Sequence, residues 1–282
     1  MPFNFPSLHR VNPNSKVSLA SIDPGATPGV ETQGKDKKAK DKLKDQANEA
    51  TAQHVADIAK LQEVMYAENK TGLLVVLQGM DTSGKDGVVR NVFSGVNPQG
   101  CHVTSFKKPS EAEADRDFLW RIHAEVPARG EIHVFNRAHY EDVLIVRVHN
   151  FVPEPVWRKR YEMINQFEQY LTENHVVVLK FMLHISKDEQ KERLQARLDD
   201  PAKQWKFNPT DVEERKYWSD YQKAYEAVLE KCSTEYAPWY VIPSNKKWYR
   251  NWAVSKIVRD TLQEIKPKAP RPTYDPKKYV IV

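Results

Sequence analysis

The sequence predicts an α/β fold, a three-layer αβα sandwich with a parallel sheet of about five strands between helices. Short apolar runs alternate with helical segments from residue 73 onward. Apolar strands separated by helices are typical of a parallel sheet that is covered on both faces. Of the 282 residues, 40% are hydrophobic and 10% aromatic. That content is sufficient for the sizeable core that such a fold needs.

The predicted elements follow the spacing of apolar residues along the chain. Strands are predicted for five largely apolar runs, at 73–78, 102–106, 132–135, 176–183 and 240–242. A long helix is predicted before the first strand because apolar residues recur at helical spacing between 37 and 69. Further helices are predicted near 85–96, 111–125, 154–173, 188–198, 210–233 and 247–265.

The two ends of the chain differ in composition from the region that carries the strands. Residues 1–34 are rich in Pro, Ser, Asn and Gly, which predicts an irregular arm on the surface. Residues 35–266 are predicted to form the main domain, and residues 267–282 a tail that begins with a proline-broken stretch. The lysine-rich run at the start of the main domain is either a solvated helix face or an approach surface for an anion.

Charge and cysteine content exclude several classes of protein. The formal charge of +5 suits a polyanionic partner without choosing one. The two cysteines, Cys101 and Cys232, lie far apart, which argues against a disulfide framework or a zinc site built from cysteines. No apolar run is long enough to span a membrane, and the first residues do not resemble a signal peptide. We therefore expect a cytoplasmic protein without a membrane partner.

The most informative segment is 79–87, which reads GMDTSGKDG. It lies between a predicted strand and a predicted helix, the context in which a glycine-rich turn ending in Gly-Lys binds phosphate. Gly79 and Gly84 permit a close backbone approach, and Lys85 adds a mobile positive charge. Ser83 and Gly87 complete the predicted phosphate contacts. The alternative is a chance match in a glycine turn.

Two acids distinguish this loop from the usual version. Asp86 occupies the position after the lysine, where Ser or Thr normally binds Mg²⁺, and Asp81 lies within the loop itself. Carboxylates among phosphate-binding amides repel an anionic ligand unless a metal ion or basic groups compensate. The loop therefore predicts either a metal ion, Mg²⁺ or Mn²⁺ in its place, or a basic surround beside the phosphates.

A second polar segment follows the third predicted strand. Asn136 occupies the position where a metal-binding Asp is common in phosphate-loop proteins. It is neutral, but Glu141 and Asp142 follow within about one helical turn. Arg137 is suited to bind a transferred phosphate because its planar guanidinium binds oxyanions in pairs of hydrogen bonds. The alternative for Arg137 is a structural ion pair with Glu141.

Basic residues after two other strands are further candidates for phosphate binding. Lys107 and Lys108 follow the second strand and face either the anion or solvent. After the fourth strand, Arg193 and Arg197 are four residues apart and share one helix face. Lys203 and Lys206 follow them, so residues 188–210 are predicted to form a helical lid that excludes water and offsets charge. The alternative is a solvated basic helix.

Taken together, these residues resemble the polyphosphate kinase 2 family, which is related in fold to thymidylate kinase and other P-loop kinases. The family's first motif, Gly-x-Asp-x-x-Gly-Lys-Asp-Gly, matches residues 79–87 in full. The segments 108–111, 117–121, 183–186 and 248–251 are also similar to the family pattern. The resemblance covers roughly residues 40–265.

The resemblance implies a Mg²⁺-dependent transfer of a phosphoryl group between inorganic polyphosphate and a nucleotide, in either direction. Asn136, with His-Tyr-Glu-Asp at residues 139–142, looks like the family's third class, which accepts purine nucleoside mono- and diphosphates. A homo-oligomer, dimer or tetramer, is also implied, whereas nucleic acid is not expected as a partner. The implied catalytic residues are Asp81, Lys85, Asp86, Asn136, Arg137 and Glu141, with Asp81, Asn136 and Glu141 as the metal ligands.

Two other functions remain open from the sequence. An ATP-dependent nucleotide kinase uses a similar loop, although Asp86 in place of Ser or Thr argues against it. A polyphosphate-binding protein without turnover would use the same basic residues. Supplying polyphosphate as the sole phosphate donor distinguishes the three.

Overall fold

A computed structural model describes residues 3–30 and 37–280, and places five parallel strands in one sheet. The strands are β1 (Gly72–Gln78), β2 (Cys101–Ser105), β3 (Ile132–Asn136), β4 (Val176–His184) and β5 (Trp239–Pro243). The helices are α1 (Lys37–Glu68), α2 (Lys85–Val92), α3 (Glu111–Ala114), α4 (Trp120–His123), α5 (Ile145–Val148), α6 (Glu154–Glu173), α7 (Lys187–Asp199), α8 (Pro209–Glu214), α9 (Trp218–Cys232) and α10 (Lys247–Ile265). The predicted α/β fold is confirmed.

The strand order places the functional segments side by side. The order is β2-β3-β1-β4-β5, so β1 lies in the centre between β3 and β4. Leu77 near the end of β1 pairs with Asn136 at the end of β3, and Asn136 pairs in turn with Ser105 of β2. Because all strands run in parallel, the segments that follow them emerge at the same edge of the sheet, where ligands of such folds bind.

Alternation along β1 explains the three layers. Leu73, Val75 and Leu77 pack into a core with α1, α2 and α10. Leu74 and Val76 point to the opposite face and pack into a core with α6 and α9. All five side chains are fully buried, and each contributes about 1.5–3 kcal/mol through removal of apolar surface from water. A strand that is apolar on both faces can be stable only between two helical layers.

Two predicted helices are interrupted. The helix predicted for 111–125 forms only α3 and α4, because the side chain of Asp117 accepts a hydrogen bond from the N–H of Leu119 at 3.0 Å and favours a turn. The helix predicted for 210–233 consists of α8, a 3₁₀ turn at Arg215–Tyr217, and α9. The sequence did not predict the 3₁₀ turn at His139–Val143 or α5, both of which follow β3.

The amino-terminal segment lies against β5 and α10. Arg10 forms an isolated antiparallel bridge with Tyr240, and Leu19 is almost completely buried. The hydroxyl of Tyr249 donates to the carbonyl of Pro28 at 2.7 Å. Beyond one 3₁₀ turn, residues 3–30 contain no regular element. Residues 1–2 and 31–34 of the predicted arm lie outside the described part of the chain.

A buried charge pair joins β4 to α6. Lys180 and Glu168 are both inaccessible to solvent and form an ion pair. The Lys180 ammonium also donates to the Tyr140 hydroxyl at 2.9 Å and to the carbonyl of Cys232 at 2.7 Å. Burial opposes ionisation of Glu168, but the charge of Lys180 and a hydrogen bond from His139 outweigh it and lower the carboxyl pKa. The Glu168 carboxyl is therefore ionised at neutral pH, and both side chains are fully hydrogen-bonded.

We expect Lys180→Met to destabilise the fold by about 3–5 kcal/mol, because it leaves the Glu168 carboxylate buried without its partner. Urea unfolding of both proteins measures the difference. The matched control is Arg158→Met, which removes an ion pair with Glu154 whose side chains are 59% and 56% exposed, and which should cost less than about 1 kcal/mol. Equal effects of the two substitutions would contradict this assignment.

Candidate active site

The predicted phosphate-binding loop connects β1 to α2. Gly79 and Gly84 have φ angles of 147° and 104°, which L side chains rarely adopt. A Cβ at Gly79 would also lie 2.7 Å from the carbonyl oxygen of Leu183, and one at Gly84 would lie 1.8 Å from Nη1 of Arg250. Both glycines are therefore required by conformation and by space. The loop leads directly into α2, whose first N–H groups have no partner within the helix.

Lys85 is held beneath the loop. Its ammonium donates to the carbonyl of Gly79 at 2.7 Å and, more weakly, to that of Met80 at 3.4 Å. Only 9% of the residue is exposed. Burial and the nearby charge of Arg137 lower the pKa of Lys85 to about 8. The Lys85 ammonium thus loses its proton more readily than that of a surface lysine, and a bound anion would stabilise its charged form.

Three carboxylates and one guanidinium surround the mouth of the loop. Arg137 donates to Asp81 at 2.6 Å and lies 3.9 Å from Glu141. The charges of Glu141 and Asp81 raise the pKa of Arg137. On the other side, the amide nitrogen of Asn136 donates to the carboxylate of Asp86 at 2.7 Å. The structure therefore joins the loop to the end of β3 through Asp81–Arg137 and Asp86–Asn136.

This group of donors fits a hard divalent cation. Asp81, Asp86 and Glu141 supply carboxylate oxygens, and the Asn136 side chain supplies an amide oxygen, since its nitrogen is directed at Asp86. Oxygen-only ligand sets suit Mg²⁺ or Mn²⁺ better than softer metals. In this group three acidic side chains face two basic ones, Arg137 and Lys85. A bound divalent ion would offset this excess of negative charge.

Arg137 is held in an unusual backbone conformation. Its φ is 63°, in the left-handed region, while its N–H still donates to the carbonyl of Leu77 at 3.1 Å. Thr82 within the loop has the same φ of 63°. Non-glycine residues in this region cost of order 1–3 kcal/mol and cluster at functional sites. Here the strain directs the Arg137 side chain across the loop toward Asp81.

Arg193 lies behind the loop and does not face its mouth. Its guanidinium donates to the carbonyls of Thr82 and Ser83 at 2.8 and 3.2 Å, and to those of Ser244 and Asn245 at 2.7 and 3.0 Å. The remaining N–H donates to Glu189 at 2.7 Å. All five donors of the guanidinium are occupied. In this arrangement the guanidinium holds α7 against the loop, and the predicted contact of Arg193 with phosphate stays a prediction.

The other predicted lid residues are more accessible. Arg197 is 25% exposed at its side chain and interacts with Asp211 at 3.4 Å. Burial and the charge of Asp81 raise the pKa of Asp211, a residue just beyond the predicted lid. Lys203 is 59% exposed and pairs with Asp200, and Lys206 lies 4.8 Å from the Trp205 ring. Lys107 and Lys108 are exposed after β2.

Two residues beside the loop were not predicted from the sequence. Arg250 of α10 is 3% exposed and donates to the carbonyl of Ser83 at 3.4 Å. Burial and the charge of Arg193 lower the pKa of Arg250 to about 10, so it remains charged at neutral pH. Tyr225 of α9 accepts a hydrogen bond from the N–H of Gly79 at 3.1 Å. Only the similarity of segment 248–251 to the family pattern gave a signal for Arg250.

Within residues 3–30 and 37–280, no helix is long and apolar enough to cross a membrane.

Comparison with known proteins agrees with this geometry. A family model described as polyphosphate kinase 2 matches residues 41–270. An AMP/ADP-polyphosphate phosphotransferase of Meiothermus ruber is 51% identical over 97% of this chain and 98% of its own length. An ADP-polyphosphate phosphotransferase of Rhodopseudomonas palustris is 45% identical over 82% of this chain and 84% of its own.

A solved structure gives the same result. The crystal structure of polyphosphate kinase 2 from Arthrobacter aurescens TC1 superimposes with a TM-score of 0.88 at 44% identity, over 99% of this chain and 96% of that one. Fold and sequence thus agree over nearly the whole length, and the chain belongs to the polyphosphate kinase 2 family.

Proposed function

We propose that this protein transfers a phosphoryl group between inorganic polyphosphate and AMP or ADP, with Mg²⁺ or Mn²⁺. The observation that carries the proposal is the placement of the loop acids Asp81 and Asp86 against Arg137 and Asn136. Relatives that align over most of the chain bear the names of AMP/ADP- and ADP-polyphosphate phosphotransferases. GMP and GDP are further acceptors to be tested, and a homo-oligomer remains the family expectation.

The proposed reaction makes one bond and breaks one. An oxygen of the acceptor's terminal phosphate attacks the terminal phosphorus of polyphosphate, and the bond between that phosphorus and the bridging oxygen breaks. AMP becomes ADP or ADP becomes ATP, while the polyphosphate chain is shortened by one unit. The same groups serve the reverse reaction. Because the attacking oxygen is already anionic, the step needs no general base, so His139, which is fully buried, is given no role.

The residues of the chain act through position and charge. The loop N–H groups and Lys85 bind the phosphates, and Arg137 offsets the charge that spreads onto the equatorial oxygens. Asp81, Glu141 and the oxygen of Asn136 would hold the metal ion, with Asp86 orienting the Asn136 amide. The ion, when bound, neutralises charge on the two phosphates. Each of these groups acts most strongly where water is excluded.

The lid completes the site in this proposal. Arg197, Lys203 and Lys206 contact the polyphosphate chain, and Lys107 and Lys108 extend the positive surface after β2. Arg193 is a positioning residue, because its guanidinium is occupied by backbone carbonyls and Glu189. It keeps the loop carbonyls directed away from the anion, so that the loop N–H groups are directed toward it.

Asp81 is the loop carboxylate that binds Arg137. Asp81→Asn should lower kcat by about 10²–10³ with AMP or ADP as acceptor, because it removes a metal ligand and the charge partner of Arg137. Initial rates at saturating polyphosphate measure the effect. The matched control is Asp220→Asn, which removes a 54% exposed carboxylate on α9 and should leave kcat unchanged. Near-normal turnover of a correctly folded Asp81→Asn variant would exclude the proposed site.

The identity of the phosphate donor distinguishes the three candidate functions. With polyphosphate as the only donor and Mg²⁺ present, AMP should be converted to ADP and ATP, and removal of the metal with EDTA should stop the reaction. Chromatographic separation of the nucleotides measures the products. Transfer from ATP to AMP with none from polyphosphate would favour the ATP-dependent nucleotide kinase. Tight polyphosphate binding without any transfer would favour the non-catalytic binding protein.

The affinity for polyphosphate should depend on pH through the charge of Lys85. Lys85 has a pKa of about 8 in the free protein, and the bound anion stabilises its charged form. As the pH rises through 8, binding must also take up a proton, so the affinity for polyphosphate should fall by up to about tenfold per pH unit. Titration calorimetry between about pH 7 and 9.5 measures this change.

The matched variant is Lys85→Arg, whose guanidinium stays charged throughout this range. Its affinity for polyphosphate should therefore vary less with pH than that of the unmodified protein. Parallel pH profiles of the two proteins would show that another group titrates, and would contradict the role given to Lys85.

A further inference from the structure

Two histidines and a glutamate form a cluster on the sheet that the proposed reaction does not use. His102 of β2 and His133 of β3 are direct partners in the parallel register, so their side chains project from the same face. Their ring centroids are 4.8 Å apart. Glu131 immediately precedes β3, and ligand atoms of all three side chains lie within 4.8 Å of one another.

The hydrogen bonds of His133 determine the state of its ring. Its Nδ1 lies 2.7 Å from the carbonyl oxygen of Glu125. Because a carbonyl only accepts, Nδ1–H is the donor, and the neutral ring has its lone pair on Nε2. That nitrogen lies 3.0 Å from the carboxylate of Glu131. A ring nitrogen lone pair and a carboxylate at this distance need a proton or a metal ion between them.

His102 adds a third donor. It is exposed, and its ring has no hydrogen-bond partner among residues 3–30 and 37–280. The neighbouring thiol of Cys101 packs on the opposite side of the sheet, against the core that includes α1, and burial raises its pKa to about 11. The accessible donors at this point are therefore imidazole and carboxylate, without thiolate.

We propose that His102, Glu131 and His133 bind a divalent transition metal ion, with Zn²⁺ as the ion best suited to them. Two imidazoles and one carboxylate are a ligand set that Zn²⁺ accepts, with a fourth position left for water. The bond from His133 to the Glu125 carbonyl is the outer contact that metal-binding histidines usually make. This donor set differs from the oxygen-only group at the loop, so the two sites select different metals.

The distances are compatible with such an ion. Zinc–nitrogen bonds of 2.0–2.1 Å in a tetrahedral site place neighbouring ligand atoms roughly 3.3 Å apart. The Glu131 carboxylate and Nε2 of His133 are already 3.0 Å apart. Only His102 must approach, and its ring is exposed on an edge strand. Binding therefore requires movement of a single side chain.

The location of the cluster indicates what the ion would do. His133 precedes Asn136 by three residues, which is about 10 Å along a strand, so the cluster lies away from the loop. Among the strands of the described residues, β2 lies at the edge of the sheet and pairs with β3 alone. A metal ion shared by His102 and His133 would fix β2 to β3 and stabilise the segment that carries Lys107 and Lys108. We therefore assign the site a structural role.

Titration calorimetry of the full-length protein with ZnCl₂ tests the site, with excess Mg²⁺ present to occupy the oxygen ligands of the loop. One Zn²⁺ per chain should bind, and the melting temperature should rise. Co²⁺ in its place should give the intense visible absorption of a four-coordinate ion. His102→Ala and Glu131→Gln should each weaken Zn²⁺ binding at least about tenfold. His102 is exposed, so its loss should leave the metal-free protein folded.

The matched control is His175→Asn. His175 is exposed and lies in the left-handed region, with φ of 69°, a conformation that Asn tolerates well. It should bind Zn²⁺ like the unmodified protein. Absence of Zn²⁺ binding in the unmodified protein would show that a proton alone satisfies His133 and Glu131, and would overturn the proposal. So would unchanged binding in both His102→Ala and Glu131→Gln.

Discussion

The site depends on how the backbone carbonyls of the phosphate loop are satisfied. A loop that directs its N–H groups toward an anion must direct its carbonyls away from it, and buried carbonyls need donors. Arg193 supplies them for Thr82 and Ser83, and Arg250 adds a weaker contact to Ser83. Because Arg193 also binds the carbonyls that follow β5, one guanidinium connects the loop, the base of the lid and the end of the sheet.

In front of the loop, the polar and charged side chains are paired with other groups of the protein. Arg137 is shared between Asp81 and Glu141, Asp86 holds Asn136, and Lys85 is folded onto the carbonyl of Gly79. Arg137 and Lys85 are thus already paired with groups of the protein. In the proposed reaction the substrate phosphates would replace these partners, and a bound divalent ion would favour the exchange by neutralising the carboxylates. The free site is preorganised in position, while its charges remain paired.

The sequence predicted the strands and the loop because their signals are local. An apolar run such as 73–78, followed by GMDTSGKDG, specifies strand, turn and helix without reference to the rest of the chain. It did not predict the orientation of Arg193, because helical spacing groups Arg193 with Arg197 but does not show which carbonyls lie beside it. Arg250 is separated from Ser83 by 167 positions. Such contacts arise only when the sheet order brings α2, α7 and α10 together.

Strand β3 connects the proposed phosphate site with the proposed Zn²⁺ site. Its last residue, Asn136, and the following Arg137 face the loop acids, whereas His133 near its start faces His102 and Glu131. The donors at the loop end are oxygens and a guanidinium, which suit phosphates and a hard cation. Those near the start of the strand are mainly nitrogen, which suits a softer ion. Strand pairing sets the spacing between them, so a metal at the start of β3 would act on the reaction only through the position of β2.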